Sequence, residues 1–446
     1  MIERRPHLVL AVGAAAVVLA ELGYRKATSD VWLLLEAAIA GLALLAAWRA
    51  QERLRLVPVV ELAVAFQTAL VVLHLALGTT GDVDTSQVFR LQGEALLDGD
   101  YPRSEYPVGA VLLFALEALV TGGDTRVGNA FLMIPFHAAT VGAVFALRTR
   151  WSPWLAAVVA LWPLNAYSWE FKYDLAPAAL LALGLLFAYR ERWGVSGVLL
   201  GVGAAVKWTP ALAFAVLVVW LVASRRTPDA RRHAAGFVGS LAVLYAPFLL
   251  WSASDVLAAY TRQGGRGITA ESVWYLLLRP FDLAEVRGHL SYSAGAPEWA
   301  NAAAITIQAA LVLLLLAVAA RLRGRLVPAV AVAALAPAVF LLTNRIFSPQ
   351  FLVVEFAAWA LAAALVLRSR RDQLVAGAAM ATASTANAFV YPFALPYYAQ
   401  TWVAASLLLF LTAFALTGWL LGRAARDSPA PAGEHARRGD PVPTSG

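Results

Sequence analysis

Two aspartates stand close together in a polar stretch of an otherwise apolar chain: Asp82 and Asp84, in the run Gly-Asp-Val-Asp at 81–84. A carboxylate held against a hydroxyl can act as a general base and take the proton as the hydroxyl attacks. A helix N-cap is the competing interpretation for Asp84, because Asp is a favoured cap and an amphipathic pattern follows. We predict that at least one of the two is catalytic, and which one stays open.

Basic side chains in other polar turns could bind a phosphate: Lys207, Arg266 and Arg345. Arg presents a planar fork of donors that suits two-point contact with phosphate, and fixed cations stabilise charge developing on a leaving group. Simpler interpretations compete, since Lys207 could reach for the membrane interface and Arg345 could cap a helix. Arg266 could pair with Glu271 in a surface salt bridge. Together the acids and cations predict acid–base chemistry on a substrate that carries phosphate.

Six further residues are candidate substrate ligands because they lie in the same polar turns: Glu105, Tyr106, Lys172, Asp174, Glu271 and Trp274. A local ion pair is the simpler interpretation of Lys172 and Asp174, and a structural role is the simpler one of Glu271. No cysteine is present and the histidines are scattered, which excludes disulfides and thiolate metal ligands and disfavours a histidine metal site.

The elements that must position these residues are membrane helices. The chain is 61% hydrophobic and 14% charged, whereas a soluble domain has about a quarter of its residues charged. The uninterrupted apolar runs 57–78, 301–320 and 399–421 approach or reach the roughly 20 residues needed to cross a bilayer. We therefore predict an all-α polytopic membrane protein. The net charge of +7 does not indicate nucleic acid, because the basic residues flank the apolar runs.

The basic residues between the apolar runs predict the topology. They form eight clusters: Arg4–Arg5, Arg49–Arg55, Arg148–Arg150, Arg190–Arg192, Arg225–Arg232, Arg321–Arg325, Arg368–Arg371 and Arg423–Arg426. Because cytoplasmic loops are enriched in Lys and Arg, we place all eight inside, with an even number of crossings between neighbours. This gives about fourteen spans (range 11–14) and two cytoplasmic termini. The spans are 8–22, 31–48, 57–78, 126–147, 152–168, 174–189, two halves of 194–224, 233–251, 301–320, 326–342, 349–367, 373–389 and 399–421.

Two long segments, 79–125 and 252–300, are predicted on the outer face. In the first, 86–98 has an amphipathic pattern suited to the membrane surface, and 107–121 is short enough to be re-entrant. Lys207 and Pro210 break the run 194–224 into two short helices, with Lys207 at the outer turn. We predict one membrane domain over 1–426, with an uncleaved first span, and a disordered cytoplasmic tail over 427–446.

Three stretches are similar to glycosyltransferase family 87, and the resemblance spans roughly 80 to 370. They are Asp84 followed by Gly93-Glu-Ala-Leu-Leu, Gly99, Pro102 and Glu105-Tyr-Pro107; Gly197-x-x-Leu-Gly201 followed by Lys207-x-Thr-Pro210; and Arg266-Gly-Ile-x-x-Glu271-Ser-x-Trp274. Where the family usually has a second proline and often a tyrosine, this chain has Val108 and Phe89. Which of Asp82 and Asp84 matches the family aspartate is therefore open.

The resemblance implies a GT-C-like helical bundle in the inner (plasma) membrane that transfers a sugar with inversion. The implied sugar is mannose, and an arabinofuranose or another pentose stays open as the alternative. The implied donor is a polyprenyl-phosphate sugar from the bilayer, and the implied acceptor is a hydroxyl of a cell-envelope glycolipid or polysaccharide. Asp84 or Asp82 would be the base, and Arg266, Lys207 and Arg345 would hold the leaving phosphate. No cofactor is predicted. An Asp-x-Asp pair can hold a divalent ion, but a cationic clamp on the phosphate makes such an ion unnecessary.

Two other functions remain open at this point. A secondary transporter or lipid-linked-sugar flippase would also use a broken helix such as 194–224, although such proteins gather polar residues at the membrane midplane. A polysaccharide polymerase or ligase would also have many spans and large outer loops, but would accept a diphosphate-linked oligosaccharide. The identity of the donor separates this last class from a transferase that uses a monophosphate carrier.

Overall fold

The computed structural model describes residues 5–27, 31–79, 83–162, 165, 170–285, 295–391 and 400–426, which contain helices and no strand. The α-helices of these residues are, in chain order, α1 (Pro6–Ala27), α2 (Val31–Arg49), α3 (Leu56–Ala76), α4 (Arg90–Leu97), α5 (Val108–Thr121), α6 (Thr125–Phe145), α7 (Ser152–Leu161), α8 (Leu175–Tyr189), α9 (Trp193–Val206), α10 (Pro210–Ala223), α11 (Thr227–Gly265), α12 (Val273–Leu278), α13 (Glu298–Arg321), α14 (Leu326–Thr343), α15 (Leu352–Val366), α16 (Arg370–Val390) and α17 (Gln400–Arg426). Asp82 and the predicted tail 427–446 lie outside the described residues.

The helices confirm a polytopic membrane protein. Within the described ranges, nine helical stretches are long and apolar enough to cross a bilayer, and they coincide with nine of the predicted spans. Four more predicted spans overlap the shorter apolar helices α7 to α10, of which α7 covers only Ser152–Leu161 of the predicted 152–168. The predicted span 373–389 lies in α16, whose Ser, Thr, Asn and charged residues keep it below that apolar content.

Several helices carry a basic cluster at one end and a predicted site residue at the other. Arg192 directly precedes α9 and Lys207 directly follows it, while Arg325 precedes α14 and Arg345 lies two residues after its end. The basic turns contact one another: Ser224 Oγ accepts from Gly324 N at 2.9 Å, Arg226 pairs with Glu191 at 2.6 Å and Arg423 pairs with Asp372 at 3.0 Å. The fold therefore gathers the basic turns at one end of the bundle and the candidate site residues at the other.

The predicted break in 194–224 is present and is caused by local backbone chemistry. Helix α9 ends at Val206, and Lys207 is extended, with φ −154° and ψ 122°. Pro210 then occupies the first turn of α10, where its missing N–H removes no helical hydrogen bond. The two short helices separate at Lys207, and this places its side chain at a bundle end.

The described residues 83–125 of the first long segment pack against the bundle. A π-helical turn, Asp84–Phe89, leads into α4, and α5 follows with 14 residues, about 21 Å of helix. The Phe89 and Phe114 rings stack at 4.1 Å between centroids. A side chain at Gly93 would collide with the Phe114 carbonyl, so only glycine permits the close approach of α4 to α5. Gly93, which belongs to the first stretch that resembles glycosyltransferase family 87, is thus a position of close helix packing.

The segment 252–300 contains helical structure that the sequence analysis treated as loop. Helix α11 continues to Gly265 after a kink at Ser252, where φ is −148° and ψ is 77°. Beyond the kink, Val256 is buried in a small apolar cluster with Tyr101 and Val108 of the first long segment. Arg262 donates to the carbonyl of Arg103 at 2.9 Å. These contacts hold the two long segments together next to the candidate site.

Candidate active site

A cavity of about 500 Å³ opens at the end of the bundle where the polar turns meet. Segments between helices contribute most of its wall, together with the C-terminal ends of α11 and α14 and the first half of α13. Eight of the eleven candidate site residues line it: Asp84, Glu105, Tyr106, Lys172, Lys207, Arg266, Glu271 and Arg345. The structure thus brings together residues that are far apart in the sequence.

Asp84 is the first residue of the π-helical turn and pairs with Lys172. The Lys172 side chain is almost fully buried, whereas the Asp84 carboxylate is partly exposed to the cavity. Asp84 therefore has its side chain oriented by a buried cation. The N-cap interpretation is not supported, because the cap of this turn is Val83 and the preceding backbone is already helical.

Lys207 pairs with Asp174, a fully buried carboxylate at the start of α8. The Lys207 ammonium also lies 4.3 Å from the ring centre of Phe351 and 5.1 Å from that of Tyr173, within the range of cation–π attraction. Burial lowers the pKa of Lys207 from its usual value, and the Asp174 carboxylate acts in the opposite direction. Lys172 and Asp174 thus each have a charged partner distant in the chain, and a local ion pair does not account for them.

Arg266 follows α11 and lies 3.7 Å from Glu105, the acid that precedes Tyr106. Gln263 also donates to Glu105, at 3.4 Å. The contact with Glu105 joins Arg266 to the first long segment, and Glu271 lines the same cavity. The two long segments therefore share an ion pair at the cavity wall, and its separation is wide for a charge-assisted hydrogen bond.

Arg345 differs from the other cations of the cavity in its partners. Its guanidinium donates to the carbonyl of Gly264 at 2.7 Å, and its own carbonyl accepts from Thr269 N at 2.9 Å. Among the residues that the structure describes, no carboxylate forms an ion pair with Arg345. Burial lowers the pKa of this guanidinium from its usual value. Arg345 is the cation of the cavity best placed to receive an external anion.

The remaining candidates divide between the cavity and its surroundings. Tyr106 and Glu271 line the cavity, and Asp174 contributes through Lys207. Trp274 does not belong to the described lining; its indole N–H donates to the carbonyl of Thr343 at 2.8 Å, which ties α12 to the end of α14. Asp82 lies outside the described residues, so the structure bears on Asp84 alone.

The cavity also contains polar residues that the sequence analysis did not single out: Tyr173, Tyr260, Gln263, Gln308, Asn344 and Gln350. Three of them had a usable signal. Gln263 precedes Arg266 by three positions, and Asn344 and Gln350 share the turn of Arg345. Tyr260 and Gln308 lie inside long helices rather than in the polar turns, so the sequence offered no reason to assign them to the site.

The described side chains suit organic substrates with hydroxyl and phosphate groups. Uncharged amides and tyrosines can donate and accept toward hydroxyls, and the cations can hold phosphate oxygens. In the described part of the chain, no group of three or more His, Asp or Glu side chains is arranged as a metal site.

A family model described as glycosyltransferase family 87 matches residues 105–349, more than half of the chain. The matched range contains Glu105, Lys172, Lys207, Arg266 and Arg345, whereas Asp84 precedes it. No curated protein matches the chain.

Proposed function

Because the chain belongs to glycosyltransferase family 87, we propose that this membrane glycosyltransferase moves mannose from a polyprenyl-monophosphate carrier to a hydroxyl group. The acceptor is a cell-envelope glycolipid or polysaccharide, and the transfer inverts the anomeric carbon. The observation that carries this proposal is the single cavity that joins the Asp84 carboxylate to four cations. A sugar phosphodiester needs a base for the acceptor and positive charge for the leaving phosphate, and this cavity contains both.

Asp84 is the proposed base. A carboxylate has two oxygens, so Asp84 can keep Lys172 on Oδ2 while Oδ1 accepts the proton of the acceptor hydroxyl. The hydroxyl oxygen forms a bond to the anomeric carbon as the bond from that carbon to the phosphate oxygen breaks. Lys172 orients the Asp84 carboxylate during the reaction. Because the Lys172 side chain is buried, it has few alternative conformations, and this keeps the carboxylate in place.

Arg345 is the leading candidate for the donor phosphate, with Arg266 and Lys207 beside it. The donor phosphate is a diester with one negative charge, and the departing polyprenyl phosphate gains a second as the bond breaks. Fixed cations that face this oxygen stabilise the transition state more than the ground state. Arg345 supports this role best because its described side-chain partner is a main-chain carbonyl rather than an acid.

The proposed reaction takes place at the outer face of the plasma membrane, with both termini in the cytoplasm. The gathering of the basic turns at one end of the bundle supports this orientation, because such clusters are retained on the cytoplasmic side. The polyprenyl chain would approach from the bilayer, because a long hydrocarbon chain is more stable there than in water.

The test is a transfer assay with purified protein in lipid vesicles, polyprenyl-phosphate-mannose and an envelope glycolipid extract. Asp84→Asn removes the base and should lower the transfer rate by about 10²–10⁴-fold. Asp98→Asn is the matched control, an exposed aspartate of the same segment outside the cavity lining, and it should keep full activity. Asp82→Asn is measured in parallel.

Four results would contradict parts of the proposal. Full activity in both Asp84→Asn and Asp82→Asn would remove the general base, and inactivity of Asp82→Asn alone would move the role away from Asp84. Transport of the labelled donor across the vesicle membrane without any covalent product would favour the flippase. Transfer from a diphosphate-linked oligosaccharide, and none from the monophosphate donor, would favour the polymerase or ligase.

A further inference from the structure

A buried cluster of three ionisable side chains lies next to the cavity and outside its lining. His74 of α3 stands between two glutamates: its Nε2 is 2.8 Å from Glu21 of α1, and its Nδ1 is 2.5 Å from Glu170. All three residues are buried. None of them was a candidate site residue, and the proposed reaction does not use them directly.

The two short contacts require two hydrogens between the ring and the acids. An imidazolium between two carboxylates supplies both, and so does a neutral imidazole with one protonated glutamate. If either hydrogen is lost, a ring lone pair faces a carboxylate oxygen at hydrogen-bond distance and repels it. The cluster therefore forms a rigid bridge between α1, α3 and the chain at Glu170 only in its doubly hydrogen-bonded form.

The bridge ends on the five-residue segment Glu170–Asp174. Around the cluster, Asn129 of α6 donates to the Glu170 carbonyl, and the Phe171 ring stacks on His74 with centroids 6.3 Å apart and planes 20° apart. The following residues of the segment enter the site: Lys172 pairs with Asp84, and Asp174 pairs with Lys207. One short piece of chain thus orients both the proposed base and one of the proposed phosphate ligands.

We propose that His74 is a positioning residue for sugar transfer: bridged by Glu21 and Glu170, it fixes the segment Glu170–Asp174 so that Lys172 and Asp174 hold Asp84 and Lys207 in their working positions. The effect on the reaction rests on the proposed function, whereas the fixing of the segment does not. His74 is not among the described residues that line the cavity, so it acts on the reaction through the segment that it holds.

The kinetic test uses His74→Gln and the matched control His137→Gln. His137 is an equally buried histidine of α6 whose Nε2 contacts the main-chain carbonyl of Val159 at 3.1 Å. A displacement of about 1 Å at reacting groups costs about 10²-fold, so we expect His74→Gln to lower the turnover number by about 10- to 100-fold. His137→Gln should leave it near the native value.

A double variant separates positioning from general loosening of the fold. If His74 acts through Lys172, the His74→Gln change should cost clearly less in a Lys172→Met background than in the native chain, because the interaction it supports is already absent. If His74→Gln lowers turnover by the same factor in the Lys172→Met background as in the native chain, His74 acts elsewhere and the proposal is overturned.

The chain contains no cysteine, which allows a readout that does not need activity. A single Leu175→Cys change places a thiol in a buried position directly after the segment, and it should react slowly with a maleimide. Adding His74→Gln should raise its labelling rate at least several-fold, while a thiol at Ala358, buried in the centre of α15, should stay slow. Equal acceleration at both thiols would mean global unfolding and would overturn the proposal.

A second variant covers the case in which His74→Gln does not fold. Glu21→Gln lies on α1, away from the cavity, and should give the same labelling pattern with a smaller loss of turnover. Unchanged labelling of the Leu175→Cys thiol in folded protein would refute the proposal. If the native chain shows no sugar transfer at all, the proposed function fails, and the labelling experiment still decides whether His74 fixes the segment.

Discussion

The buried pair of Lys207 and Asp174 gives a quantitative prediction about the site. The Asp174 side chain is 0% exposed and the Lys207 side chain 12% exposed. Removing one partner of a buried ion pair leaves the other charge uncompensated and typically costs about 3–5 kcal/mol. We expect Asp174→Asn to lower the free energy of unfolding by about this amount. The double variant Asp174→Asn with Lys207→Met removes both charges and should recover most of the loss.

The same variant should change how stability depends on pH. Burial lowers the pKa of Lys207 from 10.5, and Asp174 opposes that shift, so removing Asp174 lowers the pKa further. A lysine with a lowered pKa binds its proton less readily in the folded state than in the unfolded state. The stability of Asp174→Asn should therefore rise as the pH increases from the lowered pKa towards 10.5, because the unfolded chain holds more protons there.

Denaturation of the purified variants in detergent, followed over a range of pH, measures both effects. The pair Asp124 and Arg126 provides the control, since its side chains are 41% and 49% exposed and its separation is 3.1 Å. Breaking an exposed pair of this kind should cost about 0–1 kcal/mol. The reasoning fails if Asp174→Asn costs no more than Asp124→Asn, if the double variant shows no recovery, or if Asp174→Asn loses stability as the pH rises.

Two further predictions concern side chains at the cavity. Arg345→Gln should lower turnover with the polyprenyl-phosphate donor by about 10²-fold, and Arg345→Lys should restore part of it, because Lys keeps the charge without the planar fork; equal activity of Arg345→Gln and the native chain in the same assay would exclude Arg345 from the phosphate site. Trp274→Phe should leave transfer unchanged and lower the free energy of unfolding by about 1 kcal/mol, since it loses the hydrogen bond to Thr343; a large loss of transfer with normal stability would instead assign Trp274 to the substrate.

The helices could be predicted because the information is local in the chain. Apolar runs of bilayer length and the basic clusters between them locate most of the elements, and Pro210 locates the break before α10. The continuation of α11 beyond Ser252 could not be predicted in this way. Its residues face the segment that contains Tyr101 and Arg103, and this partner is more than a hundred positions away in the chain.

The sequence predicts which residues belong to the site better than it predicts which of them form ion pairs. Acids and cations that interrupt apolar runs fall at helix ends. The helix ends opposite the basic clusters lie together at one end of the bundle, so eight candidates share one cavity. Which cation pairs with which acid depends on packing. Lys172 and Asp174 are two positions apart, yet they reach Asp84 and Lys207 in different elements. The role of His74 was hidden for the same reason, because both of its glutamates come from other parts of the chain.

The charge balance of the cavity suggests how the cations divide the work of the proposed reaction. Lys172 and Lys207 are engaged by close carboxylates, Arg266 lies 3.7 Å from Glu105, and Arg345 contacts a main-chain carbonyl. A phosphodiester donor has one negative charge, which matches Arg345 alone. The second charge appears only as the sugar leaves, and Arg266 lines the same cavity and can face this charge. Loss of Arg345 should therefore weaken donor binding and also lower turnover, whereas loss of Arg266 should lower turnover chiefly.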